Sequence, residues 1–373
     1  MNLELSDEQA FLREAARGVL SRCATVAAAR AALEDPDALP DLWPAACQAG
    51  WPGLLVDEDR GGAGLGAFDA MLVMGEAGRV LAGVGLLGHL PASELLQRAA
   101  DARVAHVADG ELRACCVAAR PPGDMTTGWT VEAPTGPLRA AAPVLGADGL
   151  LRGRACWVPD APGAGLLVAV ATREDDGSPV AVAIDAEAAG VAVQRVMRYD
   201  ATRALGHVTF DGAAGTPLDG DDANGPAGAW YLAQALLAAE SLGCADTALQ
   251  TSVAYAKERF TFGRAIGSYQ AVKHNLVEVL RLRENAYSLL VYAGWAYEDG
   301  HDEFPLAASA ARAAAGQALD LASRTMISVH GGSGATWEHD APLFFRRAQL
   351  SRRLLGGLGD ATDRVAGELL RAA

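Results

Sequence analysis

The chain lacks a basic excess, a cysteine framework and any long apolar run. Its 31 Lys and Arg stand against 46 Asp and Glu, a formal charge of -15. Nucleic acids need a basic footprint, so general nucleic-acid binding is excluded. A local cluster of arginines still suffices for a small anionic ligand. The six cysteines (Cys23, Cys47, Cys115, Cys116, Cys156 and Cys244) include no C-x-x-C pair. That spacing offers neither a zinc site nor a disulfide framework. Adjacent Cys115 and Cys116 read as core residues. No apolar run approaches the roughly 18 residues that span a bilayer. Met1 to Ser6 lacks the basic-then-apolar order of a secretion signal. The expectations are no metal, no membrane and a cytoplasmic location.

What is present is apolar material in quantity: 51 % of 373 residues, against 21 % charged. A chain of this length and balance is not disordered and folds as two or three units. Ser6-Asp7-Glu8-Gln9 reads as a capping box, and Phe11, Leu12, Ala15, Val19 and Leu20 follow at helical spacing. Leu42–Ala49 and Phe68–Leu81 are further helical text, separated by a turn at Gly61-Gly62-Ala63-Gly64 that has no Gly-Lys-Ser and is no P-loop. From Ala114 to Leu218 short strands appear at Leu166–Ala171, Val180–Ile184, Val191–Val196 and Val208–Phe210, which predicts a small antiparallel sheet or barrel. A polar linker at Asp219–Asp222 and Asn224–Pro226 leads to helices at Trp230–Glu258, Tyr269–Ala296, Leu306–Val329 and Ala341–Leu355. Three units follow: an all-α region 1–113, a β region 114–221 and a helical region 222–373.

Three constellations carry chemistry. Arg259-Phe260-Thr261-Phe262-Gly263, with Ile266, Tyr269 and Gln270, sets a guanidinium beside a Phe-Gly turn. Guanidinium matches phosphate oxygens, and Gln270 suits a ribose or adenine edge. The same stretch reads about equally as a helix C-terminus with a basic residue on its carbonyls. His330-Gly331-Gly332-Ser333-Gly334 can converge backbone N–H groups on an anion; alone, it reads better as a tight interhelical turn. Glu240, an acid in the apolar run Leu237–Gly243, is either a buried base or, the better reading, a polar contact between helices.

Together these residues resemble the acyl-CoA dehydrogenases over nearly the whole chain. The most specific stretch is Tyr255–His274, with its Arg-x-x-Phe-Gly, Ile266 and the Tyr269-Gln270 pair. Val329–Gly332 with Trp337–Asp340, and Gly50-Trp51, Gly61–Gly64 and Glu76–Arg79, match in the same order. The resemblance implies an all-α N-domain, a β-barrel middle domain and a C-terminal four-helix bundle. It implies FAD at a subunit interface, dimers or dimers of dimers, and α,β-desaturation of an acyl-CoA. In that reaction a carboxylate removes the α-proton and the β-hydrogen leaves as hydride to the flavin. By the resemblance, Arg259, Thr261, Phe262, Ile266, Tyr269 and Gln270 touch a FAD held mostly by the neighbouring subunit. Gly331 and Gly332 cradle its diphosphate, and Trp157 can pack on a flavin. Electrons then pass to an electron-transferring flavoprotein.

The departures are equally specific. The family's two alternative base positions fall on Leu355 and Ala233, and neither side chain accepts a proton. A Thr-Glu-Pro-x-x-Gly-Ser-Asp stretch becomes Ala118–Asp124. Trp-Ile-Thr becomes Trp157-Val158-Pro159, in which Pro159 has neither hydroxyl nor N–H. Ser328 replaces a glutamine. Losses fall on the half-site that holds the reactive ring, and retained residues fall on the half-site that completes a neighbour's FAD. This pattern resembles the base-lacking subunit of heteromeric α2β2 actinobacterial enzymes that act on steroid side-chain thioesters. One alternative is a self-sufficient homo-oligomer with a relocated base, Glu240 or Asp360. Another is a scaffold that has lost flavin. The Ala233, Ala235, Ala238 and Ala239 run reads equally as a roomy acyl pocket or a close helix contact.

Overall fold

A computed structural model describes residues 4–118, 142–218, 225–299 and 301–371. The stretch 119–124 and the linker residues 219–224 lie outside the described residues. Gly225 and Pro226, expected in the linker, instead open a helix.

Six α-helices come first: α1 (Asp7–Leu20), α2 (Thr25–Ala31), α3 (Trp43–Gln48), α4 (Ala67–Arg79), α5 (Leu86–Arg98) and α6 (Val104–Ala108). Ser6 Oγ accepts from the Gln9 backbone N–H at 3.1 Å, and Gln9 Oε1 accepts from the Ser6 N–H at 3.1 Å. This reciprocal cap satisfies two otherwise orphan donors. Ala16 and Leu20 face the core, whereas Phe11 stands 76 % exposed, off the apolar face its spacing predicted. The turn before α4 needs Gly62, because a Cβ there would lie 1.9 Å from the Val56 carbonyl oxygen.

The strands β1 (Ala114–Ala118), β2 (Val144–Leu145), β3 (Leu150–Pro159), β4 (Leu166–Arg173), β5 (Pro179–Asp185), β6 (Val191–Val196), β7 (Leu205–Ala214) and β8 (Thr216–Leu218) form one curled sheet. Its order is β6-β7-β3-β2-β4-β5-β8, with β1 beside β4. The β1–β4 and β2–β4 pairs are parallel and the rest antiparallel. Among the described residues no ladder joins β6 to β8, so the hydrogen bonds trace an open curl. β4 and β5 are buried on both faces. Leu167, Ala169, Val182 and Ile184 fill the inside of the curl, and Leu166, Val168, Ala181 and Ala183 pack on Leu95, Leu96 and Ala229 of the flanking helices. That two-sided burial is why these strands read as continuous apolar runs.

The rest is helical: α7 (Gly225–Glu258), a small hairpin of β9 (Phe260–Thr261) and β10 (Arg264–Ala265), α8 (Gln270–Glu298), α9 (Phe304–His330), α10 (Ala341–Ser351) and α11 (Gly357–Arg371). The first half of α7 is buried almost all round, as a central helix must be apolar all round. α4 crosses it closely: a Cβ on Gly78 would sit 2.0 Å from the Glu240 carbonyl oxygen, and one on Gly243 1.9 Å from that of Gly75. Ala235, Ala238 and Ala239 are 1 % exposed or less and Ala233 7 %. The alanine run therefore serves a close helix contact. α10 stops at Ser351, short of the predicted Leu355, because Leu355, Gly356 and Gly357 all take positive φ (49°, 87° and 80°) and reverse the chain. No helix among the described residues is long and apolar enough to cross a membrane.

Candidate functional site

The Arg-Phe-Thr-Phe-Gly stretch closes α7 and turns into the β9–β10 hairpin. Phe262 (φ 49°) and Gly263 (φ 78°) occupy its two central positions, the left-handed pair of a type I′ turn. Glycine adopts that conformation freely; a phenylalanine there is strained by roughly 1 kcal/mol. The Phe262 ring is nevertheless 94 % exposed. The hairpin is braced from behind. Tyr269 OH donates to the Thr261 carbonyl at 3.0 Å, the Ile266 N–H donates to the Arg259 carbonyl at 2.8 Å, and the Arg264 guanidinium lies 4.0 Å from the Tyr269 ring centroid. The exposed side chains of Arg259 and Gln270 have no hydrogen-bond partner among the described residues. Their donors are open for an external phosphate or base edge.

The glycine turn sits beside this hairpin. Tyr255, one helical turn before Arg259, packs on the His330 ring at 4.3 Å, and His330 immediately precedes Gly331. His330 Nδ1 lies 2.7 Å from the Met326 carbonyl, so that nitrogen carries the proton. The His339 ring is a further 4.3 Å away; burial, and then His330, hold His339 below the usual histidine range. Gly331 has φ 61° and ψ −135°, which favours glycine. Gly332 is different: its φ is −55° and ψ −41°, and a Cβ there would meet nothing within 4 Å. Nothing among the described residues requires glycine at 332. The fold thus brings Arg259, Thr261, Phe262, Ile266, Tyr269, Gln270, Gly331 and Gly332 onto one outward surface.

The chain segments that carry the two expected base positions also meet. Gln234 Nε2, next in sequence to Ala233, donates to the Leu355 carbonyl at 2.5 Å, although the two segments are far apart in sequence. The segments bring an alanine, a glutamine and a leucine, and none of them is a base at neutral pH.

Glu240 is not a free carboxylate near a substrate. It is 2 % exposed, its Oε1 accepts from Arg347 at 2.5 Å, and its Oε2 accepts from Arg203. Arg347 also donates from Nε to Asp200 at 2.7 Å and reaches the Leu81 carbonyl and Thr202 Oγ1. This network ties the α4–α5 connection, the loop before β7, α7 and α10 together. Burial pushes the Asp200 carboxyl up, but Arg347 and Thr202 outweigh it and hold the group below the usual range. Burial works against the Arg347 charge, and Asp200 and Glu240 more than restore it. The structure places Glu240 in a buried ion-pair network between elements. Asp360 lies in the first turn of α11, where a carboxylate answers the free N–H groups of the helix start. Trp157, at a bulge in β3 with φ 59°, is 6 % exposed. Arg198 lies over the ring at 4.3 Å and His207 meets its edge. Sequence reasoning missed Asp200, Arg203 and Arg347; the available signal was the position of Arg347 on the helix face that carries Leu343, Phe344, Leu350 and Ser351, all buried.

The family model described as "Acyl-CoA dehydrogenase, C-terminal domain" matches residues 231–365, and "Acyl-CoA dehydrogenase, N-terminal domain" matches residues 6–102. The chain is 32 % identical to acyl-CoA dehydrogenase IpdE2 of Mycobacterium tuberculosis, over 97 % of this chain and 98 % of that protein. It is 31 % identical to acyl-CoA dehydrogenase FadE34 of the same organism, over 97 % of this chain and 48 % of that longer protein. Among solved structures, a variant of the Tcur3481-Tcur3483 steroid ACAD superposes with a TM-score of 0.85 at 27 % identity, over 98 % of each chain. The ChsE4-ChsE5 complex from Mycobacterium tuberculosis shares the fold with a TM-score of 0.81 at 22 % identity, over 99 % of each chain. The fold is shared with these structures, and this chain belongs to the acyl-CoA dehydrogenases.

Proposed function

We propose that this chain is the base-lacking subunit of a heteromeric, FAD-dependent acyl-CoA dehydrogenase. The observation that carries the reading is an asymmetry. The outward surface keeps Phe262 strained and 94 % exposed, while both base positions are a leucine and an alanine on segments joined through Gln234. Arg259 and Gln270 offer donors to the diphosphate and a base edge. Phe262, Ile266 and Tyr269 offer apolar contact, and Gly331 and Gly332 offer backbone without a Cβ. FAD, when bound, supplies the two-electron acceptor for desaturation; this chain's part is to bind it, orient it and exclude water from it. The partner supplies the carboxylate.

A partner surface adjoins the hairpin. A groove of about 880 Å³ runs between α7 and α8 and reaches Gly267. Val277 (55 % exposed) and Leu280 (45 %) line it. Exposed apolar area of this kind calls for a covering chain, which we assign to a second acyl-CoA dehydrogenase-type subunit. The substrate class is an acyl-CoA thioester. A bulky, steroid-derived acyl group is supported by the words "steroid ACAD" in the name of one structural relative; the alanine run lends it no support. An electron-transferring flavoprotein is the proposed acceptor, and the cytoplasm the proposed location.

The test is the flavin-to-protein ratio from visible absorbance. The chain expressed alone should carry almost none, and co-expression with a base-bearing family member should give one flavin per pair. One flavin per chain in the protein expressed alone would overturn the reading in favour of a self-sufficient enzyme. No flavin in either case would leave a scaffold.

A further inference from the structure

The interior between α7, α9 and α10 holds more positive than negative charge. Arg203, Arg347 and Arg312 are all buried there, and the carboxylates that face them among the described residues are Asp200 and Glu240. Those two carboxylates are engaged by Arg203 and Arg347. Arg312, on α9, is 0 % exposed, and its bonds run from Nη2 to the backbone carbonyls of Ser351 and Leu354. Its Nε and Nη1 have no partner among the described residues. Two further buried atoms beside the same bend are open: Ser351 Oγ, in a residue 1 % exposed, and Gln234 Oε1, in a residue 4 % exposed. The chain itself gathers them, since Arg312 grips carbonyls 351 and 354 while Gln234 grips carbonyl 355. Burial, and then Arg203, push the Arg312 guanidinium down to about 9.

Dry guanidinium N–H groups are costly, and an unmatched buried charge is costlier. An arginine does not escape by deprotonating near neutral pH. Water can satisfy its N–H groups but not its charge. We propose that this bend is a binding site for a monoanion of carboxylate size, which accepts from Arg312 and Ser351. Leu355, which brings no carboxylate of its own, adjoins it through the Gln234 bond. The anion is either free in solution or the far carboxylate of an acyl ligand. The inference stands on this chain alone and does not rest on the flavin reading.

The test is thermal melting of the full-length chain at constant ionic strength, with sodium formate replacing a bulky sulfonate salt. The expected result is a saturable rise in Tm, about 3 °C at a hundred times Kd. Ser351→Asp should melt higher than the parent in sulfonate and ignore formate, because it carries its own carboxylate. Arg312→Met should also ignore formate; if that variant does not fold, Ser351→Asp carries the test. Glutaryl-CoA and valeryl-CoA separate the sources. If only glutaryl-CoA abolishes the formate response, the carboxylate belongs to an acyl ligand; if neither does, it is a free anion. Identical melting in formate and sulfonate would mean the site holds water only and overturns the proposal. A formate response kept by Ser351→Asp would place the anion elsewhere and overturn it too.

Discussion

Replacing Glu240 by glutamine would remove one of two negative charges from a buried set in which Arg203 and Arg347 both depend on it. Breaking such a set from one side costs about 3–5 kcal/mol. Glu240→Gln should therefore lower the denaturant midpoint strongly, with any loss of activity following from loss of fold. A fully stable, inactive Glu240→Gln protein would instead return Glu240 to the role of base. The opposite signature belongs to Phe262 and Gly332. Phe262→Ala removes an exposed ring from a strained position, and Gly332→Ala adds a methyl where nothing stands within 4 Å. Neither should move chain stability by more than about 0.5 kcal/mol. Both should lower flavin retention in the co-expressed assembly at least tenfold, read from absorbance after gel filtration.

At the scale of elements, a buried histidine helps to tie α5 to the sheet. His89 is 0 % exposed, its Nδ1 accepts the Ala114 backbone N–H at 3.1 Å, and its ring meets Trp43 edge-on. Burial holds its pKa down to about 4. The folded state thus refuses a proton that the unfolded chain takes up below about 6.5. The stability from this group is whole above 6.5 and is lost as pH falls toward 4, by about 3 kcal/mol. His207 and His339, also pushed down by burial, contribute in the same direction. His89→Gln keeps an acceptor and removes the titration, so its unfolding free energy should fall less steeply between pH 6.5 and 4.5; an unchanged slope would refute the assignment. Elements of this kind differ in how legible they are. α1, the helices after residue 225 and strands β4 to β7 could be read because periodicity or continuous burial leaves a one-dimensional trace. β3 was not, since Gly153, the bulge and Trp157 with its positive φ break its rhythm. The proposed cofactor motif was legible as spacing, but its exposure was not, and pairing such as Gln234 with Leu355 belongs to folding back of the chain, which no local pattern encodes.

For the whole molecule, the question is whether an active site can be rebuilt in this chain by restoring what it lacks. Leu355→Glu returns a carboxylate to one base position, beside Gln234 at a bend already lined by the buried Arg312. A base alone does not make a dehydrogenase, because a reactive ring must be held against the substrate. Here Trp157 is buried, Pro159 offers no donor, and the α4–α7 contact fills the space beside the alanine run. In the co-expressed assembly, Leu355→Glu should therefore leave both the flavin count and the rate of acyl-CoA-driven flavin bleaching within twofold of the parent. Removing the partner's carboxylate should abolish bleaching whether or not Leu355→Glu is present. If Leu355→Glu restored bleaching to a complex with a base-less partner, this chain would hold a complete half-site of its own, and the division of labour proposed for the two subunits would fall.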